Sequence, residues 1–236
     1  DHLALARLAD DVGARLVVDA ACSLGATRDN VRCGAHGTMG CFSFHPRKVV
    51  TCGEGGMVTT DDSDLAERLR LLRNHGAISK CTPGMEFVEP GFNYRLSEIS
   101  AVLGLAQMRR IHQILLDRQT TAHRYDSALR NVAGVTVHQT PSGSTWSYQS
   151  YVVVLGPGID RDAVIATMKE AGIATTISTY ACHQHLAFSP WCHDPLGYPN
   201  SAVFANNALT LPLIPRMTPE QVERVIETLI ACLEGM

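Results

Sequence analysis

An α/β fold with a smaller α+β domain at its C-terminal end is predicted by three observations. First, the run Arg15-Leu16-Val17-Val18-Asp19 is apolar, β-branched and closed by an acid, and it follows a helical pattern and Gly13. A buried parallel strand of an open sheet reads in this way. Second, strand-like and helix-like stretches alternate to about residue 129, which is the pattern of an α/β layer architecture. Third, near residue 131 the chain changes to short strands set in Gly/Ser/Pro-rich sequence. At 236 residues and 45% hydrophobic content there is apolar material for a large core, in one large domain or two modest ones.

The elements follow in order. Leu3, Leu5, Ala6, Leu8 and Ala9 form an amphipathic helical stripe that begins at once and without Met, so the sequence reads as a piece cut within a βαβ unit. The strand at 15–19 is next. Shorter strands are expected at 39–44 and 56–60, separated by the turn residues Pro46 and Gly53 to Gly56. Asp61, Asp62 or Ser63 caps a helix to about Asn74, with Gly76 as its stop and His75 as its last-turn cation. A polar stretch containing Pro83, Gly84, Pro90 and Gly91 leads to Ser97 and Glu98, which open one long helical pattern through Ala101, Leu105, Met108, Ile111 and Leu115 to about Leu129. Beyond it come strands at 135–138 and 151–155, an amphipathic helix at about 160–171 and a last helix from Pro219 to Leu233. The expected division is residues 1–130, a large-domain portion with its connecting helix, and residues 131–236, a small α+β domain.

Charge and cysteine usage narrow the function. A formal net charge of −3 with no block of Lys or Arg supplies no electrostatic footprint for nucleic acid or an anionic membrane, so a small-molecule ligand is expected. Cys22, Cys33, Cys41, Cys52, Cys81, Cys182, Cys192 and Cys232 include no CxxC pair, and several lie in apolar stretches. Reduced thiols and a cytoplasmic setting are expected from this usage. No apolar run approaches a membrane span, and the opening lacks the layout of a signal peptide.

Two places carry chemistry. Asp19, at the C-terminal end of a buried strand, lies where open α/β sheets bind ligands, although a helix cap or strand-end salt bridge is an equal alternative for this residue alone. In Ser43-Phe44-His45-Pro46-Arg47-Lys48, followed by Gly53-Glu54-Gly55-Gly56, a lysine stands five residues after a serine on a proline turn between a strand and a glycine-rich turn. Such a segment suits a ligand bearing both a carbonyl and a phosphate. An ordinary surface lysine is the competing reading. Cys182-His183-Gln184-His185 with Cys192-His193 has zinc-binding residue types, but the spacing matches no common zinc pattern. No metal is expected there. Structural histidines are the favoured reading, ahead of a place for His183 or His185 at an active-site mouth.

Five blocks occur together and in order: Val18-Asp19-Ala20-Ala21, Cys41 to Lys48, Gly53 to Asp61, Arg73-Asn74-His75-Gly76 and Gly91-Phe92-Asn93-Tyr94-Arg95-Leu96-Ser97-Glu98. With Trp146 to Tyr151, Ala171-Gly172-Ile173, Thr179 to Phe188 and Leu211-Pro212, they make the chain resemble the C-terminal two-thirds of a pyridoxal-phosphate enzyme of the DegT/DnrJ/EryC1/StrS sugar aminotransferase family. The resemblance implies a fold-type I transferase, with a mostly parallel large domain, incomplete here, and a smaller C-terminal α+β domain. It implies that Lys48 forms the internal Schiff base with the cofactor aldehyde and then shuttles a proton between substrate and cofactor. Both roles need a neutral amine, so an ordinary lysine pKa of ~10.4 would have to fall through burial or a cationic neighbour such as Arg47. Asp19 would pair with the pyridine nitrogen. Ser43 would donate to the cofactor phosphate in its own subunit, and Asn93 would reach the phosphate in a neighbouring subunit's site.

The resemblance has departures. Where the family often has Gln or His, three residues after Asp19, this chain has Cys22, a weak donor toward the ring hydroxyl. Arg47 replaces a small hydroxyl residue and is open between meeting an anionic substrate group and facing solvent. The family's phosphate-binding turn and stacking aromatic ring belong to a portion ahead of residue 1, so weak cofactor binding is expected of these 236 residues alone. The activity implied is transfer of an amino group from glutamate or glutamine to a keto sugar, nucleotide-linked, in polysaccharide or antibiotic biosynthesis, by a homodimer with shared active sites. Some family members are sugar dehydratases, which typically carry His at the Schiff-base position; Lys48 argues for the aminotransferase. A truncated cofactor-binding protein without catalysis and a zinc-stabilised interaction module are the remaining alternatives.

Overall fold

The strand ending in Asp19 lies beside the strand ending in Ser43, and both leave the sheet at the same edge. This arrangement is seen in a computed structural model that describes residues 1–79, 84–192, 194 and 196–235; Cys81, Pro83 and His193 lie outside those residues. The chain forms two compact units, Asp1–Leu115 with Thr140–Gln149, and Leu116–Gln139 with Ser150–Met236.

In the first unit, α1 (His2–Asp11) is capped by Asp1, whose Oδ1 accepts from Ala4 N at 3.1 Å, and it buries none of its side chains. The following strand, β1 (Val17–Asp19), pairs in parallel with β4 (Met39–Ser43), Asp19 standing opposite Cys41. The expected buried strand is buried on one face only: Val18 is 7% exposed and Val17 is 54% exposed. On the other side of β4, β5 (Gly56–Thr59) runs antiparallel, giving the order β1-β4-β5. The mostly parallel sheet is therefore represented among the described residues by one parallel pair. Residues 44–55 fold back on themselves, with Phe44 N donating to Gly55 O at 2.8 Å and Cys52 N to Phe44 O at 3.0 Å. That makes a hairpin-like return, whereas a parallel neighbour needs a full crossover.

A second small sheet in this unit has the order β3-β2-β9, built from β2 (Thr27–Arg28), β3 (Val31–Arg32) and β9 (Ser144–Thr145). The segment 140–149 thus joins the first unit, and the units divide within a helix instead of at its end near residue 130. Pairing across more than a hundred residues leaves no signature in local spacing.

Helix α2 (Ser63–Arg73) is capped by Asp62, whose Oδ1 accepts from Leu65 N at 3.0 Å. His75 does not serve as its last-turn cation; Arg70 and Arg73 hold that place, and His75 lies beyond the C-cap Asn74. His75 and Gly76 both take positive φ, 62° and 67°. The cause is a backbone crossing. A Cβ on Gly76 would lie 1.9 Å from Glu89 O, and one on Gly91 would lie 2.1 Å from Gly76 N. His75 N donates to Phe92 O at 2.9 Å and Phe92 N to Leu72 O at 2.7 Å, while β6 (Ala77–Ser79) and β7 (Met85–Phe87) pair antiparallel beside the crossing. Gly76→Ala is expected to destabilise the fold by roughly 2–4 kcal/mol, from left-handed strain together with overpacking against backbone. A urea unfolding curve within 0.5 kcal/mol of the parent, on the order of an ordinary surface change, would show that the crossing yields without cost.

The single long helix expected from Ser97 to Leu129 is two helices, α3 (Glu98–Met108) and α4 (Ile111–Leu129), interrupted at Arg109–Arg110. No Gly or Pro marks the interruption, so periodicity runs through it. In space the difference is plain: Ile111, Ile114 and Leu115 of α4 pack with Val49, Val50, Leu24 and Phe44, whereas α3 buries none of its side chains.

In the second unit, β8 (Val135–Val137), β10 (Tyr151–Leu155), β11 (Thr176–Ile177) and β12 (Ala208–Leu211) form an antiparallel sheet of order β11-β12-β10-β8. Tyr151, Val153 and Leu155 alternate inward, as a half-buried strand requires. Helix α5 (Arg161–Glu170) buries Val164 and Met168. The last helix, α7 (Pro219–Glu234), starts with a capping box of Thr218 and Gln221 and buries Val222, Val225, Ile226, Leu229 and Cys232. Between them lie two 3₁₀ turns, Cys182–Gln184 and Leu186–Trp191, and α6 (Pro199–Asn207). Tyr125 of α4 is fully buried, donates to Pro212 O at 2.8 Å, and has its phenol pushed well above its ordinary value by burial.

Candidate active site

At the end of β1 the ladder continues by one bond, Ala20 N donating to Cys41 O at 2.8 Å, before the chain turns with Ser23 N donating to Ala20 O at 3.0 Å. Asp19 is exposed at this edge, and its Oδ1 accepts from Ala21 N at 3.0 Å. A carboxylate so used retains acceptor capacity at Oδ2. Cys22 lies on the same turn. At the end of β4, Ser43 Oγ accepts from His45 N at 3.3 Å, which leaves the hydroxyl hydrogen to donate elsewhere. The chain then makes a tight turn, Lys48 N donating to His45 O at 2.9 Å, and Lys48 Nζ donates to Cys22 Sγ at 2.9 Å. Two turns that are 26 residues apart are joined by that contact.

The lysine turn is held from several directions. Immediately after Lys48, Val49 and Val50 are buried, 5% and 0% exposed, against Ile114. Gln107 of α3 grips Thr51 with both ends of its amide: Oε1 accepts from Thr51 N at 3.2 Å and Nε2 donates to Thr51 O at 2.5 Å. Gln149 Nε2 donates to Arg47 O at 2.8 Å, and buried Ser147 donates to Cys22 O at 3.5 Å. His45 Nδ1 accepts from Arg47 N at 3.2 Å, which puts the ring hydrogen on Nε2, 3.8 Å from Glu54 Oε1. A Cβ on Gly55 would lie 2.7 Å from Cys52 Sγ and 2.8 Å from Leu96 Cδ1, so those side chains would have to shift to admit one. Burial pushes the Cys52 thiol up, with Glu54 adding to it.

Of the residues singled out from sequence, Asp19, Cys22, Ser43 and Lys48 lie on two adjoining turns at one sheet edge. Arg47 is exposed on the same turn as Lys48, its carbonyl engaged by Gln149. Asn93 lies on another segment, bridged to Asn74 at the end of α2 and exposed. His183 and His185 belong to the second unit, where His183 lies against the Tyr198 ring at 5.1 Å and His185 meets Tyr180 edge-on at 5.5 Å. Among the described residues, no group of three or more His, Cys, Asp and Glu is arranged to hold a metal ion, the described cysteines are free, and no helix is long and apolar enough to cross a membrane. Sequence reading missed Gln107, which acts on a backbone atom far away in sequence, so no local pattern announces it. His45, Ser147 and Gln149 stood within noted blocks, but the part each plays in holding the turns depends on geometry.

Residues 1–230 match the DegT/DnrJ/EryC1/StrS aminotransferase family. The chain belongs to that family. Among solved structures, it is similar to the aminotransferase TlmJ from Streptoalloteichus hindustanus, at 30% identity and a TM-score of 0.88 over 98% of this chain and 62% of TlmJ. DesV from S. venezuelae is similar at 31% identity with a TM-score of 0.88, over 98% of this chain and 61% of DesV. PseC from Helicobacter pylori, at 23% identity, shares the fold with a TM-score of 0.93 over 100% of this chain and 64% of PseC. The DegT/DnrJ/EryC1/StrS chain described here therefore spans a little under two thirds of the length of each of these relatives. Its fold is that of a fold-type I transferase, as the sequence blocks implied.

Proposed function

We propose that the protein is a pyridoxal-phosphate-dependent aminotransferase that transfers an amino group from glutamate or glutamine to a nucleotide-linked keto sugar. The observation that carries this reading is the placement of the Lys48 amine against the turn that follows Asp19, with the Ser43 hydroxyl at the end of the neighbouring strand. An amine for an aldehyde, a carboxylate for a pyridine nitrogen and a hydroxyl for a phosphate are the donor set that pyridoxal phosphate requires, so the residues present fit it. Family membership supports the reading. TlmJ is itself described as an aminotransferase, and PseC as an aminotransferase involved in the biosynthesis of pseudoaminic acid.

When bound, pyridoxal phosphate supplies an electron-withdrawing ring that takes up the electrons released as a proton leaves the carbon bearing the amino group. The chain's own residues do the rest. Lys48 Nζ would hold the cofactor through its amine and, when free, would act as the base that moves a proton at the substrate carbon. Such transfer by a positioned base is worth on the order of 10²–10⁴-fold. Asp19 would keep the ring nitrogen protonated. Ser43 would orient the phosphate, and Cys22, a weak donor, stands beside the amine.

The test is to incubate the protein with pyridoxal phosphate, nitrogen-labelled glutamate or glutamine and a panel of nucleotide-linked keto sugars, and to follow the label by mass spectrometry. Label appearing in an amino sugar is the expected result. Label retained in the amino acid across the panel, with loss of water from the sugar instead, would favour a dehydratase.

The shared-site dimer has its own test. A two-fold interface is isologous, so Asn93 of one subunit would serve the site holding Lys48 of the other. When Lys48→Ala and Asn93→Ala dimers exchange subunits, each mixed dimer contains one site with both residues intact and one site lacking both. Activity is expected to recover to about half the parent value per mixed dimer. If subunit exchange is verified and mixing restores nothing, Asn93 serves its own subunit or only its turn.

A further inference from the structure

We propose that Cys22 and Lys48 are an oxidisable pair: a peroxide joins Sγ to Nζ in a sulfenamide that removes the Lys48 amine, and a thiol restores it. Three observations carry this. Nζ and Sγ are already 2.9 Å apart, inside the separation of about 3–3.5 Å from which bound reactants go forward. The Cys22 thiol is exposed, so a small oxidant reaches it. Both turns are held in place, Cys22 by the Ser147 hydroxyl on its carbonyl and Lys48 by buried Val49 and Val50 and by the Gln149 amide on Arg47. Ordering of this kind converts a bimolecular reaction between amine and oxidised sulfur into one within a fixed pair.

The step balances. Hydrogen peroxide transfers an oxygen atom to Sγ; the S–O bond forms as the O–O bond breaks, and one water leaves. The sulfur has lost two electrons and the peroxide has gained them. The lone pair of neutral Nζ then attacks Sγ, the N–S bond forms, and the hydroxyl departs with a proton from the amine as a second water. Sulfenic acids condense with nitrogen in this way. The linked pair is two hydrogens lighter than the starting pair. A thiol such as dithiothreitol reverses it by attacking Sγ, returning the amine and the thiol while itself becoming a disulfide. The cross-link does not depend on the proposed activity; its consequence, loss of the cofactor lysine, does.

The experiment treats the cofactor-free full chain with hydrogen peroxide and maps peptides by mass spectrometry before and after dithiothreitol, with the exposed Cys182 as an internal comparison. The expected result is a Cys22–Lys48 linked peptide two hydrogens lighter, abolished by dithiothreitol and absent from Cys22→Ala. In Lys48→Met, Cys22 should stop at the sulfenic acid, trapped by dimedone. Capture of pyridoxal phosphate by borohydride should fall with the linked fraction and return on reduction. Cys22 oxidised to sulfenic or sulfinic acid with Lys48 unlinked in the parent protein would overturn the proposal, and so would a link that retains the peroxide oxygen. A reversible link that leaves capture unchanged would uphold the pair and instead reject Lys48 as the cofactor lysine.

Discussion

Lys48→Ala is expected to abolish covalent capture of pyridoxal phosphate under borohydride and to lower transamination by roughly 10²–10⁴-fold. The amine it removes is the one the fold brings against the Asp19–Cys22 turn. The substitution should leave the fold intact, because Val49 and Val50 stay buried and the Gln107 amide still grips the Thr51 backbone. An unchanged urea midpoint checks that point. Peptide mapping of the reduced adduct decides the assignment, since the chain's other lysines are Lys80 and Lys169. Undiminished capture in the variant, at either of these or at the N-terminal amine, would mean that Lys48 does not hold the cofactor.

Asp19→Asn should separate two functions that Lys48→Ala removes together. The amide has nearly the shape of the carboxylate, and its carbonyl oxygen can still accept from Ala21 N, so the turn after β1 should persist. What disappears is the negative charge that keeps a ring nitrogen protonated. Loss of one such electrostatic partner costs on the order of 10²–10³-fold in turnover. Covalent capture at Lys48 should be retained, and kcat should carry the loss. Parent-level kcat in Asp19→Asn would take Asp19 out of the chemistry and leave it as a strand-end residue.

These tests rest on residues that the sequence singled out, for a specific reason. Asp19 closes a β-branched apolar run, Ser43 and Lys48 lie at and just beyond a short apolar strand bounded by Pro46 and the Gly53 to Gly56 turn, and the proposed chemistry uses those residue types in that order. Asn93 was singled out through its block, and the structure shows what its surroundings demand: Gly76 and Gly91 allow two backbones to touch, and that crossing puts His75 at positive φ instead of in the last turn of α2. Other features were closed to sequence reading. Periodicity carried one helix through Arg109–Arg110, where the chain makes two. Local spacing could not show that residues 140–149 return to the first unit through the β2–β9 pairing.

By itself, then, the sequence determined the family, the α/β class with an appended α+β unit, the strand that ends in Asp19, the turn that carries Lys48 and the starts of α2 and α3. Each of these is written in residues close together along the chain, as a repeat of apolar positions, a capping side chain or a short block. Only the tertiary structure decided that Lys48 meets Cys22, that Gln107, Ser147 and Gln149 hold the two turns, and that the division between units falls inside α4. The reason is physical. A hydrogen bond from a side chain to a distant backbone atom places no demand on either segment's neighbours in sequence, so it becomes visible only when the packing has brought the two together.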